Sequence, residues 1–168
     1  SEAVQKEVAA IIHATAERWN SQNFASVLEL WDADEPLPMY LAEEQKDWFI
    51  GQEQLRAYLG ANSGFVEAIR EEMSNIRVQP LSTNLAAAVW DQHFEAKYRG
   101  SPPMGEDIRV TAIFRKKPEG WRYVHYAEAP MTGTMYMRKL MQQDVRPEFD
   151  AVYREALKKK APSPTAKE

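Results

Sequence analysis

The fold is decided by the stretch FRKKPEGWRYVH, residues 114–125. It contains two extended runs, predicted as strands 108–117 and 121–129, on either side of Pro118-Glu119-Gly120. That tripeptide predicts a three-residue hairpin loop, with glycine where a left-handed residue is needed. The resulting register is read outward from the loop: Lys117 opposes Trp121, Phe114 opposes Val124, Ala112 opposes Tyr126 and Val110 opposes Glu128.

Opposed residues share one face of a sheet, and the face alternates along each strand. The register therefore predicts an apolar inner face made of Val110, Ala112, Phe114, Val124, Tyr126 and Glu128. The outer face would carry Arg109, Thr111, Ile113, Arg115, Tyr123, His125 and Ala127. The long strand 85–98 divides in the same way, with Ala88, Trp90, Gln92, Phe94, Ala96 and Tyr98 on its apolar side.

Glu128 is the lone carboxylate on this predicted apolar face. Aromatic and aliphatic walls remove a carboxylate from water, which disfavours its charged form and raises its pKa. A carboxyl group with a raised pKa can act as a general base or acid near neutral pH. The competing interpretation is that Glu128, near the end of its strand, reaches solvent or pairs with an arginine.

Composition excludes several classes of protein. The 168 residues favour a single globular domain, and the net charge of −4 shows no electrostatic footprint for nucleic acid. No run approaches about 18 apolar residues, so no membrane span is predicted. With no cysteine there are no disulfides or thiol chemistry, which fits a cytoplasmic protein. The three histidines, His13, His93 and His125, lack ligand-type spacing, so no metal and no cofactor are expected.

The rest of the chain completes an α+β pattern, with helices first and a curved antiparallel sheet after. Apolar residues at helical spacing predict a first helix over 1–20, and shorter helices follow around 24–31 and 52–59. Short strands are predicted at 39–41 and 48–50, a weak helix at 65–73 and a strand at 76–81. Residues 131–157 are predicted as a helical extension, with helices at 135–141 and 147–158, and 158–168 as a disordered tail.

This order of elements resembles the nuclear-transport-factor-2-like superfamily, and its SnoaL-like branch in particular. Two stretches carry the resemblance: WFIGQEQLR at 48–56, similar to the family's F-x-G-x-x-x-I-R element, and the hairpin at 114–125, similar to F-R-x-x-x-G-W-R-I-V-H. The likeness covers about residues 3–130, and residues 1–130 are expected to form the domain of this family. It implies a cone whose concave sheet and first helix enclose an apolar pocket, in a protein that forms a homodimer through its outer sheet face.

The resemblance also implies which residues form the site. Relatives place a polar residue on the last strand inside the pocket, where Glu128 lies, and a catalytic Tyr or Asp near Tyr40. Gln92 is the second polar group on the inner face. Catalytic roles are therefore expected for Glu128, Tyr40 and Gln92. The expected substrate-binding wall consists of Thr15, Trp19, Trp48, Trp90, Phe94, Phe114 and Tyr126. The methionine-rich segment 131–157 would form a lid.

Two functions remain open on these grounds. The first is a cofactor-independent acid–base lyase or isomerase for an aromatic or polyketide-like small molecule. A deformylating or retro-aldol lyase for lignin-derived diaryl compounds is one branch of the superfamily with such a profile. The second is a non-catalytic module of the same fold that binds a small ligand or serves as a dimeric scaffold.

Overall fold

The computed structural model describes residues 2–60, 66–131 and 144–160. Helix α1 (Glu2–Asn20) and a 3-10 helix (Phe24–Leu30) come first. Strands β1 (Met39–Leu41) and β2 (Phe49–Ile50) precede helix α2 (Gln52–Gly60). The long strands are β3 (Val66–Pro80), β4 (Leu85–Tyr98), β5 (Met104–Lys117) and β6 (Gly120–Pro130), and helix α3 (Phe149–Lys160) ends the described chain. The predicted α+β class is confirmed.

The six strands form one mixed sheet in the order β2-β1-β6-β5-β4-β3. Strands β3 to β6 are antiparallel neighbours, whereas the short β1 runs parallel to β6. The parallel pairing sets Tyr40 directly beside Tyr126 in the register. The sheet thereby joins the loop region after α1 to the strand that carries Glu128.

The expected weak helix at 65–73 is wrong, because its described part belongs to β3. This strand runs on through 76–80 and pairs with β4, with a register shift between Ser74 and Arg77. Asn75 lies in that shift with a φ of 53°, a left-handed conformation that asparagine tolerates better than most residues. The glutamate, alanine and arginine residues of this segment have high helix propensity, and pairing along β4 overrides that preference.

The hairpin prediction is correct near the far end and wrong near the loop. Only Pro118 and Glu119 lie between the paired residues Lys117 and Gly120, so Phe114 faces Tyr123 rather than Val124. Beyond the loop, Val124 is an extra residue in β6, and this β-bulge restores the predicted pairs Ala112–Tyr126 and Val110–Glu128. A bulge inverts the alternation of faces. Trp121 and Tyr123, expected outside, are therefore buried.

The core lies between α1 and the inner face of the sheet. Helix α1 contributes Val8, Ile12, Thr15 and Ala16. The sheet contributes the buried side chains Ala88, Trp90, Gln92, Ala96, Val110, Ala112 and Phe114, as the alternation pattern predicts. His13 lies on the exposed side of α1, also as predicted.

Strand β3 is the edge of the sheet, and side-chain amides of α1 and the residues after it pair with its outward backbone groups. Asn20 accepts a hydrogen bond from the Glu71 N–H (2.6 Å) and donates one to the Glu71 carbonyl (2.9 Å). Gln22 makes the same double contact with Ile69, and Gln5 bridges the Ile76 carbonyl and the Val78 N–H. These amides cover an edge that would otherwise be open to pairing with another chain.

A buried acid ties the end of the 3-10 helix to the hairpin. Asp32 is 1% exposed and forms ion pairs with Arg115 and Lys117 at 3.2 Å each. Burial opposes its ionisation, but the Asp34 N–H and the two cations outweigh burial and hold its pKa below the usual range. Asp32 is thus engaged in a structural ion network.

The chain divides into two compact units, Ser1–Thr132 and Gly133–Glu168. In the second unit, α3 carries a stripe of exposed apolar side chains: Phe149, Val152, Tyr153 and Leu157. The helix predicted at 147–158 is confirmed with a shift of two residues. The helix predicted at 135–141 and the disordered tail after residue 160 lie outside the described residues, and the lid remains a prediction. None of the described helices is both long and apolar enough to cross a membrane.

The contact between Asn20 and β3 is testable. We expect Asn20→Ala to lower the free energy of unfolding by about 1–3 kcal/mol, because two backbone groups of Glu71 lose their partner. Urea denaturation measures the difference. Gln79→Ala, an exposed amide removed from the same strand, should change stability by less than about 0.5 kcal/mol. Equal losses in the two variants would contradict the role given to Asn20.

Candidate functional site

Glu128 is held at the inner face of β6 by two donors on different elements. The hydroxyl of Tyr126 donates to one carboxyl oxygen at 2.7 Å. The backbone N–H of Glu43, in the loop after β1, donates to the other at 3.1 Å. Tyr126 precedes Glu128 by two residues on the same strand, so alternation places both on one face. The loop after β1 reaches Glu128 because β1 pairs with β6.

The environment of Glu128 opposes its ionisation. Burial raises the pKa of this carboxyl to about 7, although the hydrogen bonds from Tyr126 and the Glu43 N–H act in the opposite direction. The negative charge of Glu44 raises it further. A carboxyl group with a pKa near 7 is partly ionised at neutral pH, so it can both accept and return a proton.

Gln92 and Trp90 extend the polar contacts of Glu128 along β4. The indole N–H of Trp90 donates to the Gln92 side-chain oxygen at 3.1 Å. The hydroxyl of Tyr126 lies 3.4 Å from the same oxygen, but its single proton is better placed towards Glu128 at 2.7 Å. Gln92 is 3% exposed. The structure therefore brings the predicted residues Glu128, Gln92, Trp90 and Tyr126 together.

Tyr40 belongs to the same cluster through its ring. It stacks on Tyr126 with a centroid distance of 4.8 Å and an interplanar angle of 9°. On its other sides Tyr40 meets Trp31, Phe49 and Tyr58 at 5.3–6.4 Å. Burial, followed by the charge of Glu128, raises the pKa of Tyr40 well above its ordinary value. Its hydroxyl therefore stays protonated and is suited to hydrogen bonding rather than to proton abstraction.

Two further carboxyl groups lie near Glu128. Glu43 contributes its backbone N–H to Glu128, and burial together with the charges of Glu128, Glu106 and Glu44 raises its pKa to about 8. Glu71 on β3 is 7% exposed, and burial together with the charge of Glu128 raises its pKa well above the ordinary value. Sequence reasoning missed both residues.

Of these two acids, only Glu71 carried a signal in the sequence. Glu43 precedes Glu44 in a charged turn and looks solvated in sequence terms. Glu71 became recognisable only once 66–80 formed a strand. The alternating residues Ile69, Glu71 and Met73 then share the face that pairs with the inner side of β4. An acid between two apolar residues at a spacing of two was the available signal.

The remaining residues of the predicted substrate-binding wall lie in different surroundings, some in the core and one at the surface. Phe114 is buried against Tyr123, at a centroid distance of 4.4 Å, and Phe94 is partly buried against the core. Trp19 packs on Phe24 at 5.4 Å. Trp48 is 41% exposed and lies against His125, which alternates with Tyr126 and so faces away from Glu128.

Thr15 supports the core rather than lining open space. Its hydroxyl lies 2.9 Å from the Ile11 carbonyl, one helical turn back, and 2.9 Å from the hydroxyl of Tyr123. The threonine proton goes to the carbonyl, which can only accept, so Tyr123 donates to Thr15. This pair fixes α1 against β6 just behind the bulge at Val124.

A groove of about 750 Å³ is lined mainly by residues of the outer face of the sheet. Asp91 and Arg109 are directly paired across β4 and β5, with Val89 and Thr111 next to them. Ala127 and Ala129 line the β6 side of the groove. The groove therefore combines the opposite charges of Asp91 and Arg109 with small and apolar side chains, and Asn75 and Arg77 line its β3 side.

Comparisons with known proteins agree with this architecture. The profile of the SnoaL-like domain matches residues 8–132. A proposed dehydratase of the NTF2-like family from Streptomyces avermitilis is 15% identical, with 78% of this chain and 99% of that chain covered and a TM-score of 0.66. A proposed scytalone dehydratase from Novosphingobium aromaticivorans is 11% identical, with coverage of 77% and 85% and a TM-score of 0.68.

A third solved structure, a type 2 hexachlorocyclohexane dehydrochlorinase, is 10% identical to this chain. It is covered over 86% of its length, against 77% of this chain, with a TM-score of 0.64. A comparison with curated protein sequences gives no significant match. At these identities the structural likeness establishes the fold alone.

The raised pKa of Glu128 predicts a pH-dependent stability. The folded form holds the Glu128 proton up to about pH 7, whereas an unfolded glutamate releases it near 4.5, so this group's contribution to stability falls as pH rises between these values. We expect the stability of Glu128→Gln, relative to the unaltered protein, to increase by about 2–3 kcal/mol from pH 4 to pH 8.

Urea denaturation across this pH range measures the relative stability. Glu119→Gln, which neutralises an exposed carboxyl on the hairpin loop, is the matched control and should give a relative stability that does not vary with pH. A difference for Glu128→Gln that is flat with pH would show that Glu128 ionises normally in the folded protein.

Proposed function

This chain belongs to the SnoaL-like domain family, and on that premise we propose that it is a cofactor-independent acid–base lyase or isomerase. Its substrate would be an aromatic or polyketide-like small molecule. The observation that carries the proposal is the partly buried Glu128 carboxyl, whose pKa is raised to about 7 and whose two oxygens are oriented by Tyr126 and the Glu43 N–H.

The proposed reaction begins with Glu128 ionised. Its carboxylate takes a proton from a carbon atom of the substrate, and the electron pair left behind forms a double bond or expels a leaving group. Tyr126 and the Glu43 N–H keep the carboxylate oriented throughout, because both donate to it. General base assistance of this kind typically contributes about 10²–10⁴-fold in rate. Glu128 then returns the proton in an isomerisation or releases it to solvent in an elimination.

Tyr40 and Gln92 are assigned to substrate binding and orientation around Glu128. The hydroxyl of Tyr40 stays protonated and can donate to a substrate oxygen, while the side-chain oxygen of Gln92 lies 3.4 Å from the Tyr126 hydroxyl. The rings of Trp90, Tyr126 and Tyr40 offer flat surfaces that suit an aromatic ligand. The site would be shaped indirectly by side chains that lie further back, namely Phe94, Phe114, Trp19 and Thr15. Trp48 is not assigned to the site.

The structural neighbours support elimination as the reaction class. Two are described as dehydratases and one as a dehydrochlorinase, and each of these names denotes the loss of a small molecule from neighbouring carbon atoms. A retro-aldol or deformylating cleavage of a lignin-derived diaryl compound uses the same proton-transfer machinery and is the finer form of this proposal. A cytoplasmic location stays a prediction.

One observation favours the non-catalytic alternative, a small-ligand-binding or scaffold module. Both oxygens of Glu128 already have a donor, as a purely structural acid would require. Each carboxylate oxygen can accept a second hydrogen bond, so these contacts leave capacity for a substrate proton. Proton abstraction from a probe therefore separates the two functions.

A nitrobenzisoxazole is a suitable probe because its ring opens on removal of a single C–H proton and releases a coloured nitrophenolate. We expect the protein to accelerate this opening, with a rate that increases as pH rises through about 7, and Glu128→Gln to lower it at least about 100-fold. Glu119→Gln should leave the rate unchanged. Equal rates for the protein and for Glu128→Gln would refute the acid–base function.

We further propose that two copies of this chain pair through the outer sheet face. The groove there combines the apolar Val89, 49% exposed, with the cross-strand pair Asp91 and Arg109, a mixture suited to a self-complementary contact. Val89→Asp should convert the dimer to a monomer in light scattering, because it places unpaired charge in the contact. Leu37→Asp, at an exposed site outside the groove, should leave the dimer intact, and a monomeric unaltered protein would disprove the pairing.

A further inference from the structure

Two arginines on the outer face of the sheet lack an acidic partner. Arg77 and Arg109 both line the groove of about 750 Å³ on this face. Among the described residues neither forms an ion pair, and Arg109 donates one hydrogen bond, to the Pro130 carbonyl at 3.3 Å. Further along the same face Arg70 is bound to Glu95 at 2.7 Å. In a chain with 25 acidic and 21 basic residues, two unpaired arginines in one groove indicate a role other than an internal ion pair.

The register places these arginines on either side of a small, largely apolar floor. Arg77 on β3 pairs with Val89 on β4, and Val89 pairs with Thr111 on β5. Arg109 precedes Thr111 by two residues, so alternation places both on the same face. At about 4.8 Å between strands and 3.4 Å per residue along them, the Cα atoms of the two arginines lie roughly 12 Å apart. Val89, 49% exposed, lies between them, and Ala127 continues the floor on β6.

Asp91, the acid closest to Arg109 in the register, is bound by another residue. The two are directly paired across β4 and β5, yet no ion pair joins them. Instead the side-chain amide of Asn75 donates to the Asp91 carboxylate at 2.7 Å. Asn75 lies in the irregular segment of β3 with a φ of 53°, and such bulges re-aim side chains. The bulge thereby gives Asp91 a neutral partner and leaves the remaining guanidinium donors of Arg109 for an anion.

The groove is positively charged although the chain as a whole carries a net charge of −4. Its two guanidinium groups face one outer carboxylate, that of Asp91. Glu128 also lines the groove, but its carboxyl oxygens are bound by Tyr126 and by the Glu43 N–H. The planar fork of donors on arginine matches the geometry of a carboxylate. A volume of about 750 Å³ lies in the range of small-molecule sites.

We propose that this outer groove is a second binding site, which takes an organic anion. Arg77 and Arg109 would bind its carboxylate group, and a flat apolar ring would lie over Val89. The site is on the face of the sheet opposite to the proposed reaction at Glu128 and does not depend on that function. It uses residues of the proposed contact between two copies of the chain, so the ligand competes with the second copy for this face.

Naphthoate and naphthalenemethanol test the site, because the two ligands share a ring system and differ in charge. We expect the protein to bind naphthoate at least about tenfold more tightly in calorimetry, and Arg77→Gln or Arg109→Gln to remove most of this preference. Arg70→Gln is the matched control, since it removes the same charge from the same face outside the groove, and it should retain the preference. Equal affinities for the two ligands, or equal losses in all three variants, overturn the proposal.

Inorganic phosphate tests whether the floor of the groove contributes to binding. Phosphate supplies negative charge without a ring, so it should bind at least about tenfold more weakly than naphthoate. Phosphate binding as tight as that of naphthoate overturns the assignment of an apolar ring to the floor.

The location of the ligand has two further readouts. Saturating naphthoate should leave the nitrobenzisoxazole reaction unchanged, because Glu128 acts on the inner face, and competitive inhibition would place naphthoate in the interior and overturn the proposal. In light scattering naphthoate should convert the dimer to a monomer. A dimer that persists with naphthoate bound contradicts a shared groove.

The two proposals for the outer face fail separately. A monomeric protein that prefers naphthoate through Arg77 and Arg109 refutes the pairing of two copies and leaves the anion site. A dimer that shows no preference for naphthoate refutes the anion site and leaves the pairing.

Discussion

The cost of placing carboxyl groups among aromatic rings governs this site. Burial by itself raises the pKa of Glu128, whereas the hydrogen bonds to its carboxylate by themselves lower it. Here the Tyr126 hydroxyl and the Glu43 N–H offset part of the burial, so that the pKa lies at about 7. Among the described residues no donor contacts the Oε2 atom of Glu71, and burial raises the pKa of this acid well above its ordinary value. Two acids in one interior are thereby driven into different protonation states, the arrangement that acid–base chemistry requires.

The fold supplies these environments through irregularities in its strands. The bulge at Val124 lets Tyr123 and Tyr126 both point inward, so one tyrosine anchors α1 through Thr15 while the other binds Glu128. The parallel pairing of β1 with β6 brings Tyr40 and the Glu43 N–H to the same strand end. Asn20 fixes Glu71 while also covering the edge of β3. Stability and site geometry thus depend on the same contacts.

The sequence predicted the class of fold, the inner face of β4 and the position of Glu128, because strict alternation in long strands leaves one consistent arrangement. The prediction from sequence failed where the alternation of side chains between the two faces of a strand is interrupted. Trp121 and Tyr123 are two residues apart and so share a face, whereas Tyr126 follows Tyr123 by three residues and would face the other side of a regular strand. This odd spacing between aromatic residues was the available sign of the bulge. Glu71 was missed because a locally helical, acidic segment becomes a strand only through pairing with β4, which a local pattern does not contain.

A direct titration tests whether the pKa of Glu128 is raised in the folded protein. The carboxyl carbon resonances of protein labelled with ¹³C at glutamate can be followed by NMR from pH 3 to 10, and Glu128→Gln identifies the resonance by its disappearance. We expect a midpoint for Glu128 at about pH 7, with a shift of that midpoint to lower pH in Glu44→Gln, where a neighbouring charge is removed. A midpoint near 4.5, the ordinary value for glutamate, would contradict this expectation.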